Sequence, residues 1–166
     1  MVLNGMNQSF RTLSFDIGKE YNVVTVSFDH SETPELAAEK KATYLRQYNR
    51  KGGAEGWHFL TGDEANIQRL TKAAGFRFVW DDATKQFAHG AGVELLTPKG
   101  VIARYFYGIE YSPRDIRLGM DGAGYTSDQE RTTVDQPYDG CPGREGSPAP
   151  TSYGDGVTVE TCDISG

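Results

Sequence analysis

The first 140 residues of this 166-residue chain contain no cysteine; its two cysteines are Cys141 and Cys162. The spacing of that pair matches neither a C-x-x-C redox motif nor a zinc knuckle. A catalytic thiol needs a fixed, electropositive setting that lowers its pKa, and the acidic surroundings of these two supply the opposite. Long apolar runs are also lacking. None approaches the roughly 20 residues a membrane helix needs, and the N-terminus has no basic-then-apolar signal pattern. The sequence as written therefore carries no membrane segment and directs the chain nowhere beyond the cytoplasm. Positive charge is in deficit, with 17 Lys and Arg against 23 Asp and Glu. With no basic stripe either, a nucleic-acid partner is not expected. Phosphate-binding loops of the G-x-G-x-x-G or G-x-x-x-x-G-K-[ST] type are missing, as is a Ser-His-Asp order with an elbow serine. Nothing in the sequence marks the chain as an enzyme of those classes.

The length suits one domain able to bury a real core. Charge divides the chain in two. Residues 1–121 hold 15 basic and 15 acidic residues, whereas residues 122–166 hold 2 and 8, which accounts for the whole net charge of −6. The second stretch also carries 8 of the 20 glycines and 4 of the 7 prolines. Few large aliphatic side chains remain there to offset the entropy of ordering the backbone. The expected organisation is a folded domain over 1–121 and an acidic, Gly/Pro-rich, disordered tail over 122–166.

Val2, Leu3, Met6, Phe10 and Leu13 recur at helical spacing, which predicts an amphipathic helix over 2–15. Residues 21–28 (YNVVTVSF) are β-branched and aromatic with an apolar centre, the pattern of a strand buried on both faces. Thr33-Pro34 supplies an N-cap with proline at the first helical position, opening a helix to about Asn49 with Leu36, Ala37, Tyr44, Leu45 and Tyr48 inward. Residues 51–56 read as a loop and 57–60 as a short strand. Asp63 then caps a helix to about Ala74, which Gly75 ends. A short extended piece over 76–80 precedes a hairpin of 92–97 and 101–107. Ser112-Pro113-Arg114-Asp115 resembles a capping box for a last helix to about Met120. Alternation of this kind implies an α/β sheet with an antiparallel pair at its end.

Three histidines are present, and His89 stands out. It lies just before the expected hairpin, among the small residues Ala88, Gly90, Ala91 and Gly92, which leave room for a metal or a partner loop. Imidazole is a common ligand for copper, zinc and iron. Asp29 follows the strand end at Ser27-Phe28, and in open α/β sheets sites gather at the carboxyl ends of strands. Its carboxylate could equally cap backbone amides. Asp81 and Asp82 precede His89 by eight and seven residues, so Asp82 is a candidate to orient the imidazole from a second shell, or the pair forms a turn. His30 reads as a solvated residue before a helix, and His58 as a packing or surface residue of its strand.

Several segments together resemble the Sco/SenC family of thioredoxin-fold copper chaperones. They are Val2-Leu3-Asn4-Gly5; Val24 to Asp29 with Thr33-Pro34; Trp57-His58-Phe59-Leu60-Thr61-Gly62; Phe87-Ala88-His89; Leu96-Thr97-Pro98-Lys99-Gly100; and Arg104-Tyr105-Phe106-Tyr107-Gly108. They run in family order and spacing over residues 2 to about 118. The resemblance implies a thioredoxin-like sheet with flanking helices and makes His89 the imidazole ligand of a copper site. It implies delivery of copper to the dinuclear copper site of cytochrome c oxidase, whose copper-bearing subunit would be the partner. Family members usually face the periplasm or the mitochondrial intermembrane space from a membrane anchor, and some act there as thiol-disulfide reductants.

The sequence departs from the family in three places. The two ligand cysteines of the family's C-x-x-x-C motif are expected just before Met1 and are not in the sequence. The strand that carries them is missing with them, so the chain is expected to begin inside the first helix of the fold. His30 stands where the family usually has proline, and the stretch after about Met120 does not resemble the family's ending. A weakened copper site is therefore expected. Two alternatives on the same scaffold are a thioredoxin-like thiol oxidoreductase, which would have to use Cys141 or Cys162, and a metal-free interaction module.

Overall fold

The structure, a computed structural model, describes residues 1–124 and 157–161. It is a mixed α/β fold: a five-stranded sheet with flanking helices, and a separate two-stranded sheet at one end. The order along the chain is α1 (Val2–Thr12), β1 (Asn22–Val26), α2 (Pro34–Tyr48), α3 (Gly53–Gly56), β2 (Trp57–Leu60), α4 (Glu64–Ala74), β3 (Phe78–Asp81), β4 (Gln86–His89), β5 (Gly92–Leu96), β6 (Ile102–Tyr107), α5 (Pro113–Gly122) and β7 (Val157–Thr161).

The main sheet runs β2-β1-β7-β5-β6. β1 is parallel to β2, with Val23 opposite Trp57, and parallel to β7, with Val26 opposite Thr161. β5 is antiparallel to both β7 and β6. β7 thus occupies the position between β1 and β5. The stretch expected to lack ordered structure, 122–166, contains this strand near its far end. Its sequence Val-Thr-Val-Glu-Thr is rich in β-branched residues, which suits a strand. Cys141 and Cys162 lie outside the described residues.

The expected α1 stripe is the one that packs: Val2, Leu3, Met6, Phe10 and Leu13 are all buried against Val23, Trp57, Val93 and Leu95 of the sheet. Ile116 and Met120 of α5 join them, and Tyr48 closes the cluster from α2. Trp57 is fully buried and its indole N–H donates to Thr25 Oγ1 at 3.0 Å, so the one polar atom of the ring is satisfied inside the core. Arg50 fastens the end of α1 to the end of α2. Its guanidinium donates to the carbonyls of Phe10 (2.9 Å) and Leu13 (2.7 Å) and pairs with Asp16 at 2.5 Å. α4 covers the opposite face, where Tyr105, whose neighbour Phe106 packs on the main core, donates its hydroxyl to the Ala74 carbonyl at 3.2 Å.

Helix starts follow the sequence signals. The Thr33, Asp63 and Ser112 side chains accept from the amides of Leu36, Asn66 and Asp115. Two expectations are corrected. Residues 53–56 of the expected loop form a single helical turn, α3. The extended piece over 76–80 is half of a hairpin, β3–β4, closed by a turn in which Lys85 adopts a left-handed conformation (φ 56°).

Gly5 lies in the middle of α1, where alanine would ordinarily add up to about 1 kcal/mol of helix stability. Here a Cβ would overlap the Ile109 carbonyl, and Ser9 one turn on hydrogen-bonds the Tyr111 carbonyl, so α1 has no room to retreat. Gly5→Ala is expected to lower stability by about 1–3 kcal/mol in urea unfolding, the reverse of the propensity effect.

Candidate functional site

His89 is the last residue of β4, opposite Phe78 of β3. One buried aromatic side chain of the β1 end packs against both strands of the hairpin. Phe28, two residues past the carboxyl end of β1, is 1% exposed. Its ring centroid lies 5.3 Å from Phe76, 4.9 Å from Phe78, 5.5 Å from Phe87 and 4.9 Å from the His89 imidazole. The imidazole also meets Phe76 at 5.8 Å. The ring is held by apolar neighbours on one side and is otherwise exposed. Its Nδ1 lies 2.9 Å from the Gly90 carbonyl, a contact in which Nδ1 donates; in the neutral tautomer that makes this bond, Nε2 carries the lone pair a metal would take.

The other sequence-selected residues distribute unevenly around it. Asp29 adjoins Phe28 and so comes to the same end of the sheet. Its Oδ1 accepts from the Ser31 amide at 2.8 Å and the Ser31 hydroxyl at 2.7 Å, an Asx-type turn. Asp82 is not brought to His89. It sits in the hairpin turn, bonded to Trp80 Nε1 (3.1 Å) and Lys85 Nζ (3.2 Å). Three strand residues separate that turn from His89, a span of about 10 Å. Asp81 accepts from the Ala83 amide and the Thr84 hydroxyl, and these bonds hold its pKa below the ordinary carboxylate value. The turn-forming reading of the Asp81-Asp82 pair is the one that matches these bonds. His30 is exposed in the loop after β1, and His58 is exposed on β2.

Among the described residues no group of three His, Cys, Asp or Glu could hold a metal ion. Copper, and Cu(I) above all, selects thiolate donors, and the described residues supply one imidazole. By themselves they do not fit a tight copper site.

One titratable residue escaped the sequence reading. Glu94 is 8% exposed in the centre of β5, paired with Tyr105 on β6 and Val159 on β7. Burial pushes its pKa up to about 8. The visible signal was a lone carboxylate inside the apolar run Val93-Glu94-Leu95-Leu96.

Two outcomes follow from this geometry. Phe28→Ala removes the ring that seats the hairpin, at a cost of roughly 3–5 kcal/mol. Amide exchange is expected to accelerate first over 78–89, before the main sheet opens. For Glu94, the folded pKa lies above the ordinary value of 4.5, so between about pH 4.5 and 8 the native state holds a proton that the unfolded chain has released. Stability contributed by the protonated carboxyl is complete below that window and is lost as pH rises through it. Glu94→Gln is expected to flatten the fall in stability between pH 5 and 8.5, gaining about 3 kcal/mol on wild type at the upper end.

Neither protein-family models nor curated proteins give a match to this chain. Among solved structures, the chain is similar to a crystal structure from Aquifex aeolicus VF5 described as a "putative electron transfer protein". The two share 23% identity with a TM-score of 0.60, over 74% of this chain and 68% of that one. At that identity the likeness shows the fold alone.

Proposed function

We propose that this chain is a thioredoxin-like module of the Sco/SenC kind, related to the copper chaperones of cytochrome c oxidase, with His89 as its imidazole ligand. The observation that carries the reading is the position of His89. It enters the loop leading to β5, and Phe28 holds it at the carboxyl end of β1, in a sheet whose parallel pair β1–β2 and antiparallel pair β5–β6 lie on either side of one central strand. This is where open α/β sheets gather their sites. The solved structure of similar fold is described in terms of electron transfer, a description compatible with a redox-linked role.

In this reading His89 offers Nε2 to copper from a preset orientation, and the copper-bearing subunit of the oxidase is the docking partner. A single imidazole holds Cu(I) weakly. Thiolate donors would have to come from beyond the described residues. Cys162 is one to test, because it directly follows Thr161, which pairs with Val26 at the same end of the sheet.

A competitive Cu(I) titration with a chromophoric chelator, under reducing conditions, checks the assignment. Weak binding that disappears in His89→Ala is expected. A further loss in Cys162→Ser would identify that thiol as a second donor. Tight one-to-one binding that survives His89→Ala would overturn the role given to the histidine.

A further inference from the structure

Beside Phe28, and separate from the exposed face of His89, the structure contains a groove of about 580 Å³. That volume falls in the range of small-molecule sites. One wall is the β3–β4 hairpin, with Phe78, Trp80 and Phe87, and Phe28 forms the floor. The other wall is the first two turns of α4, with Glu64 and Ile67, and Asp29 stands at the end.

The charge of this lining has one sign. It holds two carboxylates, one histidine (His30) and no lysine or arginine. Both carboxylates have spare acceptor capacity. Asp29 spends Oδ1 on Ser31, and Oδ2 receives no donor among the described residues. Glu64 makes no hydrogen bond or ion pair among them. It is the first residue of α4, whose amino end carries partial positive charge, but Asp63 caps that end through the Asn66 amide and Glu64 adds a full negative charge. Aromatic faces attract cations through the ring quadrupole, and Trp80, 46% exposed on the rim, is the strongest of the side chains available for this.

We propose that this groove is a binding site for a small organic cation, an ammonium group carried on an aromatic or alkyl body. The body lies against Phe28, Phe78 and Phe87, and the ammonium sits between the Trp80 face and the carboxylates of Asp29 and Glu64. The site uses no atom of His89 and requires no metal, so it stands or falls independently of the copper reading.

Trp80 supplies the readout, since Trp57, the other tryptophan, is fully buried. The metal-free protein would be titrated with benzyltrimethylammonium, benzyl alcohol and phenylacetate, following tryptophan fluorescence and amide shifts in 15N-labelled protein. Saturable quenching by benzyltrimethylammonium is expected, with a Kd of roughly 1 mM for so small a ligand. Shifts should centre on Glu64, Gln68 and Trp80. Glu64→Gln and Asp29→Asn should each weaken binding about threefold, and the double variant about tenfold. Trp80→Phe should abolish the quenching while the amide shifts persist. Binding of benzyl alcohol as tight as that of the cation, saturable binding of phenylacetate, an affinity unchanged in the double variant, or no saturable binding of the cation would each overturn the proposal.

Discussion

The placement of the candidate site depends on the burial of one ring. A two-stranded hairpin in water is marginal by itself, because its pairing barely offsets the backbone entropy it costs. β3 and β4 pair with each other and with no strand of the main sheet. What seats them is Phe28, packed against Phe76, Phe78, Phe87 and His89 at once. Phe28 in turn is fixed by its covalent distance from β1, whose next residue, Ser27, is buried with its amide bonded to the Leu60 carbonyl at 2.9 Å. Sheet, ring and imidazole are thus linked, and His89 is positioned both by Phe28 at the end of β1 and by the two residues that join it to β5.

Much of this was legible in the sequence because it rests on local signals. The α1 stripe and the caps at Thr33, Asp63 and Ser112 are short-range patterns with short-range causes. The β5–β6 pair announces itself by a turn containing Pro98 and Gly100 between two apolar runs. The β3–β4 hairpin was harder to see. Its turn, Asp82-Ala83-Thr84-Lys85, has neither glycine nor proline, and it places a lysine in the left-handed region that glycine or asparagine usually occupies. β4 is mostly exposed as well, so it lacks the apolar alternation that marks a half-buried strand. β7 was hidden differently: five β-branched or acidic residues lie inside a stretch whose average composition argues for no order at all.

The residues selected from the sequence for the candidate site do not all come together in the fold. His89 and Asp29 come to the carboxyl end of β1 through residues that adjoin or touch Phe28. Asp82 does not, because proximity along the chain becomes separation once the intervening residues extend as a strand. Seven residues that fold into a turn and a strand carry the aspartate to one end of the hairpin and the histidine to the other. Glu94 reversed the problem. In a linear reading it is one of 23 acids, and only the sheet shows that it is enclosed between β6 and β7.

The anchoring of His89 also bears on what its imidazole can do. Apolar packing on Phe28 and Phe76 and the contact with the Gly90 carbonyl orient the ring without any help from a metal. A preset ligand loses little freedom on coordination, which favours binding by any borderline metal that reaches it. It does not confer selectivity, because a lone nitrogen donor leaves the choice of metal to the remaining ligands and their geometry. In the proposed copper-binding reading, the scaffold would contribute position, and discrimination of copper from zinc would rest on donors other than those of the described residues. The acid-lined aromatic groove on the far side of Phe28 is built from the same hairpin, so a ligand wedged between Trp80 and Glu64 would press on the element that carries His89. Two direct links join the two places: Phe28, which lines the groove and touches the imidazole, and the β3–β4 ladder, in which groove-lining Phe78 pairs with His89.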